Sequence, residues 1–336
     1  MPGVSKTISS PVLPAFISGA MKEFDDSYLR ALESNAPTLA SALLHLQKGK
    51  GKQIRPLIVF LVANAFGAGS DPARWEKVMN GAISIELLHL ASLIHDDVID
   101  ESPTRRGQAS FYALLGSHKA VLFGDYILSH AFTRALLVGS RTMAMTLAEL
   151  GLQLSEGELL QEDISELSVT TEEQYFEVIS QKTASLIKAA FKVGADTAGV
   201  TDPETLGLIE SASEKIGLAF QIKDDIFDYL PTPGLGKPAG NDLREHKVTL
   251  PLIFALGTDT SDARKAAKLL KKKDLNHGEI EFLVSFARKS GGIEYAQGRM
   301  ARLIDEAKRD LESALPDGED LRALLSLADY IVFRNK

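Results

Sequence analysis

Apolar residues recur every three to four positions along most of the chain, which is the spacing of one face of a helix. Alanine and leucine fill many of these positions and runs of β-branched residues are few, so the pattern favours helices over strands. Helices are predicted from about Glu23 to Leu46, from Leu57 to Phe66, from Trp75 into the aspartates that begin at Asp96, and from about Glu172 to Val193. The pattern therefore predicts an all-α fold.

Glycine and proline punctuate the predicted helices. Residues 1–20 contain three prolines and are predicted to be a loose lead-in to a single domain over residues 21–336. The segment 230–238 is the densest in proline and glycine and is predicted to be a loop. Four glycines are expected weak points in the helical pattern that continues to Leu160: Gly116, Gly124, Gly139 and Gly151.

Two of the helices are predicted to be buried, because residues 83–94 and 216–222 are apolar around most of the helix circumference. Each is followed by an Asp-Asp-x-x-Asp cluster, which consists of Asp96, Asp97 and Asp100 in the first case and of Asp224, Asp225 and Asp228 in the second. Carboxylates four residues apart lie side by side on a helix and repel each other. The clusters therefore predict a bound hard cation, Mg²⁺ or Mn²⁺, and Mg²⁺ usually recruits phosphate oxygens.

Basic residues follow both clusters. Arg105 and Arg106 come after the first cluster, and Lys237, Arg244 and Lys247 come after the second. Arginine binds phosphate through two parallel hydrogen bonds and lysine supplies a point charge, so acid and base together predict a clamp for a metal-bound diphosphate.

A second basic spot, formed by Lys52 and Arg55, opens the helix that follows it and predicts another anion site that needs no metal. A diphosphate held by metal and basic residues is a leaving group whose C–O bond can ionise. The resulting carbocation needs a water-free interior, which helices rich in Leu, Ile, Ala and Phe provide. The sequence contains no Walker loop or dinucleotide-binding fingerprint that would favour another chemistry.

Composition excludes several classes of protein. The 336 residues carry a net charge of −8, which argues against nucleic-acid binding, and the lack of cysteine excludes disulfides and thiolate chemistry. No apolar run reaches the roughly 18 residues of a membrane span, and the N-terminus lacks the layout of a signal peptide. We therefore expect a cytoplasmic protein without a transmembrane segment.

These motifs resemble those of the trans-isoprenyl diphosphate synthases, or polyprenyl synthetases, and most of all their long-chain members. The matching motifs are Gly51-Lys52-x-x-Arg55-Pro56, Leu88-His89-x-x-Ser92-Leu93-x-His95-Asp96-Asp97-x-x-Asp100, Arg105-Arg106-Gly107, Gly124-Asp125, Gln181-Lys182-Thr183, Gln221-x-x-Asp224-Asp225-x-x-Asp228, and Gly236-Lys237-Pro238-x-Gly240-Asn241-Asp242-Leu243-Arg244-Glu245 with Lys247. The resemblance implies a single-domain bundle of long antiparallel helices around a central cavity. It also implies a homodimer that condenses an allylic diphosphate with isopentenyl diphosphate head to tail.

The resemblance further implies a role for each matching residue. Asp96, Asp100 and Asp224 would hold Mg²⁺, and Asp97, Asp225 and Asp228 would complete the acidic faces; with Arg105 and Lys182 these six are the expected catalytic residues. The allylic diphosphate would be bound by Arg105, Lys182, Thr183, Gln221, Lys237 and Lys247, and isopentenyl diphosphate by Lys52, Arg55, His89 and Arg106. The released diphosphate would remove the proton. His246 departs from the family pattern, because relatives commonly carry a small residue before the lysine.

Product length is expected to depend on Leu88, Ala91 and Ser92, which precede Asp96 by one to two helical turns. In the family, a bulky aromatic residue at the position of Ala91 or Ser92 closes the pocket and shortens the product. The small residues here predict a product longer than farnesyl, as in quinone side chains, and Ala91→Phe should shorten it. A plug formed deeper in the pocket would instead leave a geranylgeranyl or farnesyl product.

Three alternatives are less compatible with the sequence. A terpene cyclase has no need for the second anion site at Lys52 and Arg55. A non-catalytic regulatory subunit would be expected to have lost metal ligands, and a helical metal-dependent phosphohydrolase would be expected to carry more histidine ligands. Incorporation of isopentenyl diphosphate by the purified chain would distinguish the synthase from all three.

Overall fold

The computed structural model describes residues 11–34, 36–47, 51–165, 170–230 and 239–333, which are mostly helical. The first half contains α1 (Ala15–Arg30), α2 (Pro37–Leu46), α3 (Ile54–Ala65), a 3₁₀ turn (Ala68–Ser70), α4 (Pro72–Ile99), α5 (Phe111–Leu115), α6 (Ser117–Val138) and α7 (Arg141–Ser165). The second half contains α8 (Glu172–Ile179), a π-helical segment (Ser180–Ala184), α9 (Ser185–Ala198), α10 (Pro203–Asp228), α11 (Asn241–Arg244), α12 (Leu250–Leu256), α13 (Ser261–Leu269), α14 (His277–Lys289), α15 (Gly292–Ala314) and α16 (Glu319–Phe333). Within these ranges the only strands are β1 (Thr104–Arg105) and β2 (Gln108–Ala109), and the predicted all-α class is confirmed.

The N-terminal helices differ from their prediction. Two helices, α1 and α2, replace the single helix expected from about Glu23 to Leu46, and α1 already begins at Ala15. Pro37 lies in the first turn of α2, where its missing N–H is tolerated, whereas it would have broken a continuous helix. Ile17 and Phe24 of α1 are fully buried, so this helix belongs to the core.

The glycines that were expected to interrupt helices fall into two groups. Gly116 and Gly139 follow the last residues of α5 and α6 and have positive φ, which glycine adopts at little cost. Gly124 and Gly151 lie inside helices. Apart from Leu230, the predicted loop at 230–238 lies outside the described residues.

α4 is the central helix of the first half and packs along α6. Ser84 donates a hydrogen bond to the carbonyl oxygen of Ala131 at 2.8 Å. Nearer the end of α4, the His95 ring lies against Gly124, where an added Cβ would be 2.2 Å from His95 Nε2. Because the later residue of α4 meets the earlier residue of α6, the two helices are antiparallel.

α10 is the corresponding long helix of the second half and packs on α15, α9 and the π-helical segment. α9 also packs on α4 and α3, so it lies between the two helices that carry the aspartates. Both aspartate clusters are at the C-terminal ends of their helices, α4 and α10, as the sequence predicted.

Two described helices, α4 and α6, are long and apolar enough to cross a membrane by length and composition. The sequence expectation concerned an unbroken apolar run of about 18 residues, which neither helix contains, and the absence of a transmembrane segment stays a prediction. In α4, 72% of the apolar window is buried inside the structure, as in the core helix of a soluble protein, so this helix is weak evidence for a membrane span. In α6 the buried share is 33%, because one face of this helix exposes apolar side chains.

Candidate active site

A short hairpin connects the first aspartate cluster to the rest of the chain. Thr104 pairs with Ala109 and Arg105 with Gln108, and the two residues between the strands, Arg106 and Gly107, have φ values of 52° and 76°. Two consecutive positive φ values are those of a type I′ turn, the favoured connection for a two-residue hairpin loop. The hairpin was not predicted, because strands of two residues have no readable pattern in the sequence.

The three aspartates of the first cluster have different environments. Asp97 is 2% exposed, and its Oδ1 accepts hydrogen bonds from Nε of Arg105 at 2.8 Å and from Nη2 of the same residue at 2.7 Å. Asp97 therefore orients Arg105. Asp96 is half-buried and Asp100 is exposed at the end of the helix, so these two carboxylates remain at the surface of the site.

Asp96 lies in a strongly acidic environment. Burial, reinforced by the charges of Glu158 and Asp100, raises the pKa of Asp96 to about 6, although Lys182 and Arg105 act in the opposite direction. Glu158, in α7, forms an ion pair with Lys182 at 2.5 Å. A carboxylate whose ionised form is destabilised by its neighbours is one that a divalent cation would stabilise.

The second cluster is also divided between inward and outward positions. Asp225 is buried, and its two oxygens accept hydrogen bonds from the Tyr175 hydroxyl at 2.6 Å and from Gln221 Nε2 at 2.7 Å. Burial is the main reason that the pKa of Asp225 rises to about 7, while these two hydrogen bonds lower it. Asp224, by contrast, is exposed.

Asp228 holds the start of α11 in place. Its Oδ1 accepts from the backbone N–H of Asn241 at 2.9 Å, and its Oδ2 accepts from the N–H of Asp242 at 3.1 Å. The carboxylate therefore caps this four-residue helix, which is an ordinary role for an aspartate at a helix start. This contact attaches the chain beyond residue 238 to the second cluster.

The other end of α11 carries Lys247. The N–H of Lys247 donates to the carbonyl oxygen of Asp242 at 2.8 Å, and the N–H of His246 donates to that of Leu243 at 3.3 Å. This is the Schellman pattern of a helix end, in which the residue at the position of His246 is left-handed and usually glycine. His246 has a φ of 58°, which gives a physical reason for the small residue that relatives carry here.

Lys182 and Thr183 lie in the π-helical segment, which α7 and α10 approach closely. A Cβ on Gly157 would be 3.0 Å from the Lys182 nitrogen, and a Cβ on Gly217 would be 2.5 Å from the Cα of Ala184. π-helical turns are rare and are frequent at functional sites. Thr183 in turn donates a hydrogen bond to Gln221 Oε1 at 2.8 Å.

The charge of an aspartate in the first cluster reaches a basic residue that follows the second cluster in the chain. Burial alone would lower the pKa of Lys247, but its hydrogen bond to Glu245 at 2.6 Å and the charges of Glu245, Asp100 and Glu158 raise it. Lys247 follows the second cluster, whereas Asp100 belongs to the first. The two helix ends therefore share one charged region. Lys237 lies outside the described residues.

A second group of basic residues lies on the other side of the first cluster. His89, Arg105 and Arg106 line a pocket there together with Glu86 and Tyr28. Burial, followed by the charges of nearby arginines, lowers the pKa of His89 well below its usual value, so the imidazole is neutral.

Arg55 and Lys52 belong to the same region. Burial lowers the pKa of Arg55, and the charge of Arg106 adds to this while Glu86 opposes it. The Nε of Arg55 and the Nδ1 of His89 are buried without a hydrogen-bond partner. Lys52 is exposed at the preceding turn.

The residues expected to control product length occupy two faces of α4. Leu88 and Ala91 are each 2% exposed. Ala91 lies between Ser84 and His95 on the face that packs on α6, so close helix packing also favours its small side chain. Ser92 is half-buried, lies one turn before Asp96 and donates to the carbonyl oxygen of His89 at 2.9 Å.

Among the described residues, no three carboxylate or imidazole side chains are grouped closely enough to form a ready-made metal site. Asp96, Asp100 and Asp224 would thus provide only part of a coordination shell. This fits Mg²⁺, which is commonly bound through one or two carboxylates, waters and substrate phosphates.

Comparison with known proteins identifies the family. The model of the polyprenyl synthetase family matches residues 36–286. The chain belongs to the polyprenyl synthetase family. This polyprenyl synthetase is 34% identical over 316 residues to nonaprenyl diphosphate synthase of Mycobacterium tuberculosis, covering 94% of this chain and 91% of that protein. It is also 34% identical over 319 residues to heptaprenyl diphosphate synthase component 2 of Geobacillus stearothermophilus, covering 94% and 96%.

Solved structures agree with this assignment. The fold of this polyprenyl synthetase matches the crystal structure of polyprenyl synthase from Caulobacter crescentus CB15, complexed with calcium and isoprenyl diphosphate, with a TM-score of 0.87. The identity is 29%, and the match covers 98% of this chain and 99% of that one. The predicted resemblance is confirmed, and this polyprenyl synthetase is a trans-prenyltransferase. The family uses allylic and isopentenyl diphosphates and is generally metal-dependent.

Sequence analysis missed three residues that contact or electrostatically affect the predicted site residues of this polyprenyl synthetase. Asp242 lies inside a quoted motif but was given no role; burial, reinforced by Asp225 and Asp228, raises its pKa to about 8. Glu158 and Tyr175 had no signal in the sequence, because they reach the site from α7 and α8 only through tertiary packing.

Proposed function

We propose that this chain condenses an allylic diphosphate with isopentenyl diphosphate head to tail and makes an all-trans polyprenyl diphosphate longer than farnesyl. One observation carries the proposal: a single pocket is lined by Lys182, by Asp225 of the second cluster and by Lys247. The charge of Asp100, at the end of α4, also acts on Lys247. Two acidic helix ends and their basic neighbours thus surround one space, as a metal-bound diphosphate requires.

The allylic diphosphate would be bound by Arg105, Lys182 and Lys247, which are cations from three different parts of the fold. They would stabilise the negative charge that grows on the leaving group as the C–O bond ionises. Bound Mg²⁺, held by Asp96, Asp100 and Asp224, would supply further positive charge there. Lys182 and Lys247 form ion pairs with Glu158 and Glu245, so a diphosphate that binds these lysines must replace the two carboxylates.

Isopentenyl diphosphate would occupy the pocket beside His89 and Arg106. The buried, unpartnered nitrogens of His89 and Arg55 support this, because an unmade hydrogen bond is costly and a bound anion could supply the acceptor. This second basic site also favours a synthase over a terpene cyclase, which needs only one diphosphate. The double bond would attack the allylic carbon as the C–O bond to diphosphate breaks, and the released diphosphate would then take the proton, so that His89 is not required as the base.

The function is tested by incubating the purified chain alone with Mg²⁺, farnesyl diphosphate and radiolabelled isopentenyl diphosphate. We expect label in the organic-soluble product after acid treatment and in long prenyl diphosphates by mass spectrometry. Asp96→Asn and Asp224→Asn should each reduce turnover by at least about 10²-fold, as expected for groups that act on transition-state charge. An absence of incorporation would favour a cyclase or a subunit that needs a partner chain.

Product length is tested at α4. Ser92→Phe and Ala91→Phe should each shift the mass distribution toward shorter prenyl chains. Because Ala91 is on the face that packs on α6, its variant should also lower the melting temperature, whereas the half-buried Ser92 should tolerate the change better. Unchanged product masses in both folded variants would contradict a length-determining role.

The proposed assembly is a homodimer formed through α6 and α7. α6 exposes Leu122, Phe132 and Leu136 by 55%, 44% and 73%, and α7 exposes apolar residues at heptad spacing, Met145, Leu152 and Leu159. An apolar face of this extent indicates a protein contact. Light scattering should show that the double variant Phe132→Glu/Leu136→Glu is a monomer. The control Leu44→Glu, which changes an exposed leucine of α2, should stay dimeric.

A cytoplasmic location of the protein stays a prediction.

A further inference from the structure

A chain of hydrogen bonds lies behind the second aspartate cluster and begins at Tyr175 of α8. The Tyr175 hydroxyl donates to Oδ2 of Asp225 at 2.6 Å, and Gln221 Nε2 donates to Oδ1 of the same carboxylate at 2.7 Å. Thr183 Oγ1 then donates to Gln221 Oε1 at 2.8 Å. These contacts join α8, α10 and the π-helical segment.

The direction of each hydrogen bond follows from its chemistry. An ionised carboxylate only accepts, so Tyr175 and Gln221 must both donate to Asp225. Because the amide nitrogen of Gln221 is engaged with Asp225, its carbonyl oxygen faces Thr183 and receives the threonine proton. The orientation of Thr183 therefore depends on Gln221 and Asp225, and that of Asp225 depends on Tyr175.

Burial leaves Asp225 without an alternative partner. Asp225 and Tyr175 are each 4% exposed, so water cannot replace the tyrosine hydroxyl without a rearrangement. If the carboxylate turned outward, it would approach Asp224 and Asp228, whose charges already disfavour its ionised form. Loss of one hydroxyl should thus disturb the whole chain of contacts, not one bond.

We propose that Tyr175 is a positioning residue, whose hydroxyl holds the Asp225 carboxylate, and through Gln221 the hydroxyl of Thr183, in the orientation that binds the allylic diphosphate. Tyr175 touches no substrate in this arrangement. The inference rests on the proposed function, because Gln221 and Thr183 are expected, from the family resemblance, to bind the allylic substrate of that reaction. The proposal predicts that loss of the Tyr175 hydroxyl weakens use of the allylic substrate and leaves isopentenyl diphosphate binding unchanged.

The matched control is Tyr229, a second buried tyrosine. Its hydroxyl accepts a hydrogen bond from Thr249 Oγ1 at 3.0 Å and makes no hydrogen bond to the aspartate cluster. Tyr175→Phe and Tyr229→Phe each remove one buried hydroxyl, so both should lower the melting temperature. In steady-state kinetics, only Tyr175→Phe should reduce kcat/KM for farnesyl diphosphate, by about tenfold, as expected for the loss of one hydrogen bond to a charged group. The KM for isopentenyl diphosphate should stay unchanged.

A double-mutant cycle tests whether Tyr175 acts through Asp225. Calorimetry with Mg²⁺ and farnesyl thiolodiphosphate, which ionises slowly, measures binding even in inactive variants. In the Asp225→Ala background, which leaves no side-chain acceptor for the Tyr175 hydroxyl, adding Tyr175→Phe should change the dissociation constant by less than about twofold. A full tenfold effect in that background, or equal kinetics of the two phenylalanine variants, would overturn the proposal. If the wild-type chain incorporates no isopentenyl diphosphate, the proposed function fails instead.

Discussion

His246 occupies a backbone position that does not suit its side chain. It is the left-handed residue at the end of α11, and its amide and that of Lys247 close the helix. A residue with a Cβ is strained in this conformation, whereas glycine is not. The adjacent Lys247 is proposed to bind the allylic diphosphate, so the strain lies next to the site.

We therefore expect His246→Gly to stabilise the protein by up to about 1 kcal/mol, because the relief of strain exceeds the entropy that glycine gains in the unfolded chain. Urea unfolding measures the change. His246→Ala is the control, since alanine keeps the Cβ and should give no gain. Equal stabilities of the glycine and alanine variants would show that the left-handed backbone is not the cause.

At the scale of helices, close approach between α10 and the π-helical segment depends on a single glycine. A Cβ on Gly217 would be 2.5 Å from the backbone of Ala184, whereas Gly207, in the same helix, has no atom within 4 Å of its added Cβ. Both glycines lie inside α10, but Gly217 is in close tertiary contact and Gly207 is not. They therefore form a matched pair for testing how the π-helical segment is positioned.

Gly217→Ala should destabilise the protein by about 1–3 kcal/mol through overpacking. It should also lower kcat/KM, because it displaces the segment that carries Lys182 and Thr183. Gly207→Ala should raise stability by about 0.5–1 kcal/mol, as alanine does in an exposed helix interior, with unchanged kinetics. Thermal unfolding and steady-state assays of both variants provide the comparison, and similar results for the pair would argue against the packing explanation.

Helices with a strong hydrophobic periodicity can be predicted from the sequence. Features that depend on tertiary contacts cannot. α3 and α4 were predicted within a few residues, because their apolar pattern is continuous. The break between α1 and α2 was missed, although Pro37 was visible. The distinct environments of Asp96 and Asp97 could not be predicted, because they depend on which side of α4 packs inward. The pairing of Glu158 with Lys182 likewise joins helices that are separate in sequence.

At the scale of the whole molecule, three aspartates make stability depend on pH: Asp225 is buried, and Asp96 and Asp242 are half-buried. Burial is the largest cause of three raised pKa values, which are about 6 for Asp96, about 7 for Asp225 and about 8 for Asp242. In the unfolded chain these groups ionise near their usual value of 3.8. At pH values between the unfolded pKa and the raised folded pKa, the folded state therefore binds more protons than the unfolded state. The free energy of unfolding falls as the pH rises through this interval.

The metal-free protein should accordingly have a lower melting temperature at about pH 9 than at about pH 5, with most of the fall between about pH 5 and 8. Differential scanning calorimetry at constant ionic strength measures this. The Asp225→Asn/Asp242→Asn variant should show a flatter profile, because its amides do not titrate. A wild-type melting temperature that rises over this interval would contradict the assigned shifts.

The hairpin turn at Arg106 and Gly107 joins two regions of the molecule. Arg105 is fixed to Asp97 of the first cluster, whereas a Cβ on Gly51, in the basic turn before α3, would be 2.4 Å from Arg106 Nη1. Arg105 and Arg106, which are neighbours in one tight turn, thus belong to the two proposed subsites. A two-residue turn leaves little freedom for one arginine to move without the other. Occupancy of one subsite should therefore change affinity at the other, reciprocally and by the same factor, so that the two substrates are coupled through a two-residue connection.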